Sequence, residues 1–147
     1  MSNQSTPSFS IGISDSNCVT IELQSSPADK STEGFNWISA RALVKAGTFS
    51  GKSEIMITKD DLTLFIKELK RMYDGLAGTV VFRPIEEQLV IEISISGTGQ
   101  VTLTGTLFEY ALYGNKLIFE FHLDQTYLPK VISDIQSGLS RLEKNKV

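Results

Sequence analysis

His122 is the only histidine in the chain, and Glu120 stands two residues before it. In an extended segment, side chains two apart share a face, so the carboxylate could orient an imidazole nitrogen for general base work. That chemistry also needs a nucleophile or water site and an oxyanion donor, and nothing in the sequence pins these down; the plainer reading is a surface pair. Cys18, the only cysteine, lies early in an apolar segment, where a small, soft side chain packs more often than it reacts. Alone it can make neither an internal disulfide nor a thiolate zinc site. The adjacent carboxylates Asp60-Asp61 and Glu86-Glu87 invite a metal reading, yet the first pair suits a helix N-terminus and the second a solvated turn. Gly97-x-Gly99 followed by Gly105 joins two strand-like segments and opens no helix to hold a pyrophosphate, so it reads as turn chemistry, with Gly105 marking a bulge. No catalytic, cofactor-binding or metal-ligating residue is assigned, and no cofactor is expected.

The elements that must position these groups follow from periodicity. Residues 1–8 have little to bury and read as a flexible N-terminal tail, and residues 9–147 as a single domain. Phe9 to Ile13 and Cys18 to Leu23 read as a hairpin across Asp15-Ser-Asn17, and Ser25 to Gly34, with Pro27 and almost no apolar residue, as a surface loop. Residues 36–49 alternate Trp37, Ser39, Arg41, Leu43 and Lys45 against Ile38, Ala40, Ala42, Val44 and Ala46, the pattern of one long half-buried strand, with a turn expected at Ser50-Gly-Lys52. Thr58 with Asp61 three residues on predicts a helix start. Leu62, Phe65, Ile66, Leu69, Met72, Tyr73 and Leu76 then recur at helical spacing, and Gly75 or Gly78 can end the helix.

Four further strands follow, one at Thr79 to Arg83 and three with stripes at Leu89 to Ile95, at Val101, Leu103 and Leu107, and at Leu117, Phe119, Phe121 and Leu123. A second helix is predicted from about Thr126, carrying Leu128, Val131, Ile132, Ile135, Leu139 and Leu142 on one face, with Pro129 in its first turn. The fold class is α+β: a largely antiparallel β-sheet of about seven or eight strands with two amphipathic α-helices packed on one face. Each half ends in a helix after a set of strands, which suits either an old duplication or convenient packing.

If the helices cover one face, the side chains opposite the apolar stripes share the other. They mix aromatic, hydroxyl and charged groups, among them Lys45, Ser94, Thr102 and Thr104, and we assign Trp37, Arg41, Glu92, Phe108, Tyr110, Glu120 and His122 as a partner-binding surface. The competing explanation is strand propensity alone, since Thr, Tyr and Trp favour strands wherever they sit.

Composition narrows the partners. A formal charge of −3 and a pI near 5.2, without a cluster of Lys and Arg, argue against nucleic acid. The Ser/Thr/Asn-rich start lacks the basic and apolar parts of a secretory signal, and no apolar run approaches the ~18 residues of a membrane span, so a cytoplasmic protein with no membrane partner is expected.

The run Gly114-Asn-Lys-Leu-Ile-Phe-Glu-Phe-His-Leu-Asp-Gln-Thr-Tyr-Leu128 resembles the C-terminal part of bacterial WapI-type immunity proteins, and Phe65 to Gly78 is similar in style. The resemblance implies a small cytoplasmic protein that neutralises a cognate toxin by tight binding, with no catalytic residues of its own. Two other readings stay open. One is a small-ligand or enzymatic domain with a pocket lined by Trp37, Tyr110 and His122. The other is a structural module whose open face pairs with a second copy, a homo-oligomer.

Overall fold

The computed structural model describes residues 6–25, 37–111 and 113–144. The loop expected at Ser25 to Gly34 and most of the expected tail lie outside those residues. Eight strands and two α-helices run in the order β1 (Ser8–Ile13), β2 (Asn17–Ser25), β3 (Trp37–Ala46), β4 (Phe49–Thr58), α1 (Lys59–Gly75), β5 (Thr79–Phe82), β6 (Leu89–Ile95), β7 (Gln100–Tyr110), β8 (Tyr113–Asp124) and α2 (Leu128–Lys144). All described strand pairs are antiparallel, and the α+β class expected from the sequence is the one observed. Alternation tells which face a residue takes but not which strand lies beside it, and the strands divide into two four-stranded meanders, β1-β2-β3-β4 (sheet A) and β5-β6-β7-β8 (sheet B).

Each half therefore reads as four strands and a helix, and each helix crosses to the other half. Helix α1 packs chiefly on β5 and α2 on β1; the helices touch one another, and β4 abuts β7. The inner faces of both sheets and the apolar faces of both helices form one core, with Ile21, Ala42, Ile57, Ile91, Ile93 and Leu103 fully enclosed. Phe65 of α1 meets Phe82 of β5 with ring centroids 4.9 Å apart. Gly138 of α2 faces Leu23, whose Cδ1 would lie 3.0 Å from a Cβ at that position, so the missing side chain lets the helix come down onto β2.

The helix starts are built from local hydrogen bonds. Thr58 Oγ1 accepts from Asp61 N at 3.1 Å while Asp61 Oδ2 accepts from Thr58 N at 2.8 Å, a reciprocal cap that satisfies two otherwise orphaned donors. Leu62, Phe65, Leu69 and Met72 are the residues this helix buries. The helix ends at Gly75, one of the two candidate glycines, and the left-handed residue that caps it is Leu76, with φ 48°. Packing of Leu76 against the core holds a conformation that its own Cβ disfavours. The second helix begins later than expected: Asp124 caps a short 3-10 turn, Gln125–Tyr127, before α2 starts at Leu128.

Two turn expectations are corrected. The β3–β4 reversal falls at Gly47-Thr48, with Ala46 paired to Phe49, and not at Ser50-Gly-Lys52. Gly47 has φ 64°, the positive value that a two-residue hairpin asks of its first central residue. Gly51 is instead an inner-face strand residue, where a Cβ would come within 3.3 Å of Leu117 and 3.5 Å of Leu107, so sheet B packs directly over it. Gly105 marks no bulge either: it sits in regular register between Ile91 and Phe119, beneath the Phe119 ring, and the irregularity in β7 lies between Phe108 and Tyr110.

Candidate functional site

Register fixes what shares the outer face of sheet B. One row across the strands reads Val81, Glu92, Thr104, Glu120; the next on one side reads Thr79, Ser94, Thr102, His122; the next on the other reads Val90, Thr106, Ile118; and Phe108 with Lys116 follows. Their partners in sequence point into the core, since period-2 alternation buries Ile91, Ile93, Leu103, Phe119 and Phe121. Four of the assigned residues, Glu92, Phe108, Glu120 and His122, are thus brought onto one surface. His122 Nε2 lies 3.0 Å from Glu120 Oε2, both side chains more than half exposed, and Lys116 Nζ sits 5.4 Å above the Phe108 ring. No ion-pair partner meets Glu92 among the described residues.

The other three assigned residues lie elsewhere. Trp37 and Arg41 belong to the outer rows of sheet A, where Arg41 Nε donates to Glu54 Oε2 at 2.8 Å and its Nη1 lies 3.8 Å from Glu22 Oε1. The hydrogen bond that Arg41 donates to Glu54, then the charge of Glu54, and to a lesser degree that of Glu22, push the Arg41 guanidinium pKa further above its usual value. Tyr110 follows the β7 irregularity and stacks on Tyr113 at 4.9 Å, on the rim of a groove of about 470 Å³ shared with Lys52, Ser53, Glu54, Gln88 and Glu109. That groove includes neither Trp37 nor His122.

The floor of the groove is a buried polar joint between the sheets. Gln88 Nε2 lies 2.9 Å from Glu54 O, 3.0 Å from Ser53 Oγ and 3.2 Å from Glu109 O, so one amide group bridges the edge of β4 and the end of β7. Ser53 Oγ adds contacts of 2.5 Å to Phe108 O and 2.8 Å to Glu109 O. These bonds satisfy carbonyls that the β7 irregularity withdraws from its ladder, which makes the joint structural.

Sequence reasoning passed over Val81 and Ile118, which are 43% and 68% exposed on the outer face of sheet B. The signal was present: both are apolar residues at the solvent parity of their strands, out of phase with the stripes of Val80 and Phe82 and of Leu117, Phe119 and Phe121. Cys18 is buried on an outer row of sheet A, its Sγ 3.7 Å from Thr20 Oγ1. Asp61 serves as a capping acid and Glu87, with φ 54°, as a turn residue 3.6 Å from Arg83. Among the described residues no group of three His, Cys, Asp or Glu side chains is placed to hold a metal ion, and no helix is long and apolar enough to cross a membrane.

The family model of the WapI-like immunity proteins matches residues 10–143, from within β1 to the last turn of α2. The chain belongs to the WapI-like immunity protein family. Comparison with curated proteins finds no match, and neither does comparison with solved structures. The family match spans both sheets and both helices, including the two segments that carried the resemblance, so membership concerns the whole described fold.

Proposed function

We propose that this member of the WapI-like immunity family is a cytoplasmic protein that neutralises a cognate toxin by binding it directly, without chemistry of its own. The observation that carries the reading is the family match across residues 10–143. The side chains with chemical potential support it, because each has a structural or surface role: His122 pairs with Glu120 in the open, Cys18 is buried against Thr20, and Asp60 and Asp61 stand in the first turn of α1. The acidic balance of the chain would quicken association with a basic toxin domain, since complementary charge acts mainly on the on-rate and on partner choice. The test is co-expression with the toxin domain encoded beside this gene, followed by size-exclusion chromatography of the purified pair. Restored growth and a stoichiometric complex are the expected results; restored growth with no complex would replace direct binding by another route to immunity.

A further inference from the structure

We infer that the outer face of sheet B is the docking surface for the toxin, and that it takes a cationic surface whose basic groups are flanked by apolar side chains; this rests on the binding reading above. Glu92 and Glu120 lie in one cross-strand row with Thr104 between them, which at ~4.8 Å per strand sets the two backbones about 10 Å apart. That spacing suits two basic side chains of a single partner segment. Neither carboxylate meets a cation of fixed charge among the described residues, because Glu120 touches only the His122 imidazole. Lys116 lies two rows away over Phe108, and Asp124 extends the negative charge at the opposite end beside Gln100.

The apolar component flanks this row. Val81 sits beside Glu92 on β5, and Ile118 stands two residues before Glu120 on β8, both exposed at positions where a solvated strand carries polar groups. The Thr102, Thr104 and Thr106 hydroxyls stand between them on β7, half-buried and able to bond across an interface once water leaves. Four strands and four rows give a face of roughly 15 by 20 Å, the scale of the central part of a standard protein interface. Val81 and Ile118, on the two edge strands, would exclude water from the carboxylate row once a partner covers it, so the charge pairs would form in a desolvated setting.

The experiment is calorimetric titration of the full chain with the purified toxin domain encoded beside the gene, using wild type, Glu92→Lys/Glu120→Lys, Ile118→Ala, and a control with the same change in net charge placed elsewhere, Asp74→Lys/Glu86→Lys. The face variant should weaken binding by ~100-fold or more and flatten its salt dependence, as when interfacial charges meet like charges, while the control stays within about threefold. Amide chemical shifts of the wild-type protein should move at Thr102, Thr104, Thr106 and Ile118 on complex formation, a readout independent of any variant's folding. Wild-type affinity in the face variant, with shifts elsewhere, would overturn this surface and leave toxin binding intact. Absence of binding by the wild-type protein would overturn the binding reading and the surface with it.

Discussion

The outer faces of the two sheets are built from the same topology and carry opposite electrostatic arrangements. On sheet A, Arg41 lies between Glu22 and Glu54, and Lys45 and Lys52 add further positive charge, so the carboxylates already have a cation in place. On sheet B, Glu92 and Glu120 face solvent with no such cation among the described residues, and exposed Val81 and Ile118 stand beside them. A paired surface charge has little left to offer a partner, because docking would exchange one ion pair for another at the cost of desolvating both. An unneutralised carboxylate beside an apolar side chain keeps its full interaction for whatever docks. The same β-meander can thus present one face matched to water and another matched to a ligand, the difference lying in which solvent-parity positions depart from the polar pattern.

The largest expected effect tests whether sheet B depends on its core for a flat outer face more than sheet A does. A Cβ on Gly105 would lie 2.5 Å from Phe119 Cζ and 2.9 Å from the Val90 carbonyl oxygen, so Gly105→Ala forces the ring or the backbone to move and should cost about 3 kcal/mol. A Cβ on Gly51 in sheet A would come nearest the Cδ2 ends of the flexible Leu117 and Leu107 side chains, and Gly51→Ala should change stability by less than ~1 kcal/mol. Urea unfolding midpoints of the two variants check this pair, and equal losses would show that Phe119 has room to turn aside. Next in size is the joint that holds the faces apart. Gln88→Leu deprives the Glu54 and Glu109 carbonyls of a buried donor and should destabilise by about 2 kcal/mol, without touching either outer face.

The strands and their inward stripes were legible because half-buried strands alternate, and the stripes of β6, β7 and β8 are buried, Leu117 partly so. The split into two sheets was not, since nothing local says that β4 ends one sheet and that β5 starts another after α1. The β3–β4 turn was misplaced for a related reason. Phe49 extends the strand-like composition past Gly47, and Ser50-Gly-Lys52 has turn composition, yet Gly51 is a strand residue with Leu117 and Leu107 lying over it. On the candidate surface, Glu92, Phe108, Glu120 and His122 share a face because β6, β7 and β8 are consecutive antiparallel neighbours. Trp37 and Arg41 could not be separated from them without knowing the sheet division. Tyr110 left the face through an irregularity between Phe108 and itself that the local composition does not signal.

A smaller effect should separate the two faces directly. Arg41→Ala removes the cation that neutralises Glu22 and Glu54, and because these ion pairs lie on the solvent face of the sheet the fold should lose little. If the contrast between the faces governs docking, this variant keeps wild-type affinity for the toxin domain, measured by the same calorimetry; a loss comparable to that of the Glu92/Glu120 reversal would place sheet A in the interface as well.

The smallest effect concerns how each sheet hands its last strand to a helix. Sheet A ends on a Thr58 hydroxyl, which does not titrate, whereas sheet B ends on the Asp124 carboxylate, whose Oδ1 accepts from Thr126 N at 2.8 Å and also from the Thr126 hydroxyl. Those bonds, the side-chain one foremost, hold the Asp124 pKa below the ordinary carboxylate value. A carboxylate depressed in the folded state stabilises the fold above its unfolded-state pKa, and that contribution is lost as pH falls through the lower folded-state value. Asp124→Asn keeps an acceptor oxygen at the same position without the charge. It should therefore melt slightly below wild type at neutral pH, with the gap closing as the buffer is acidified through the carboxylate range. Thr58→Ser keeps the hydroxyl at the sheet A exit and leaves Asp61 in place, so its gap from wild type should not change with this acidification. A pH-independent difference for Asp124→Asn would mean that the geometry of the cap matters at this exit and its charge does not.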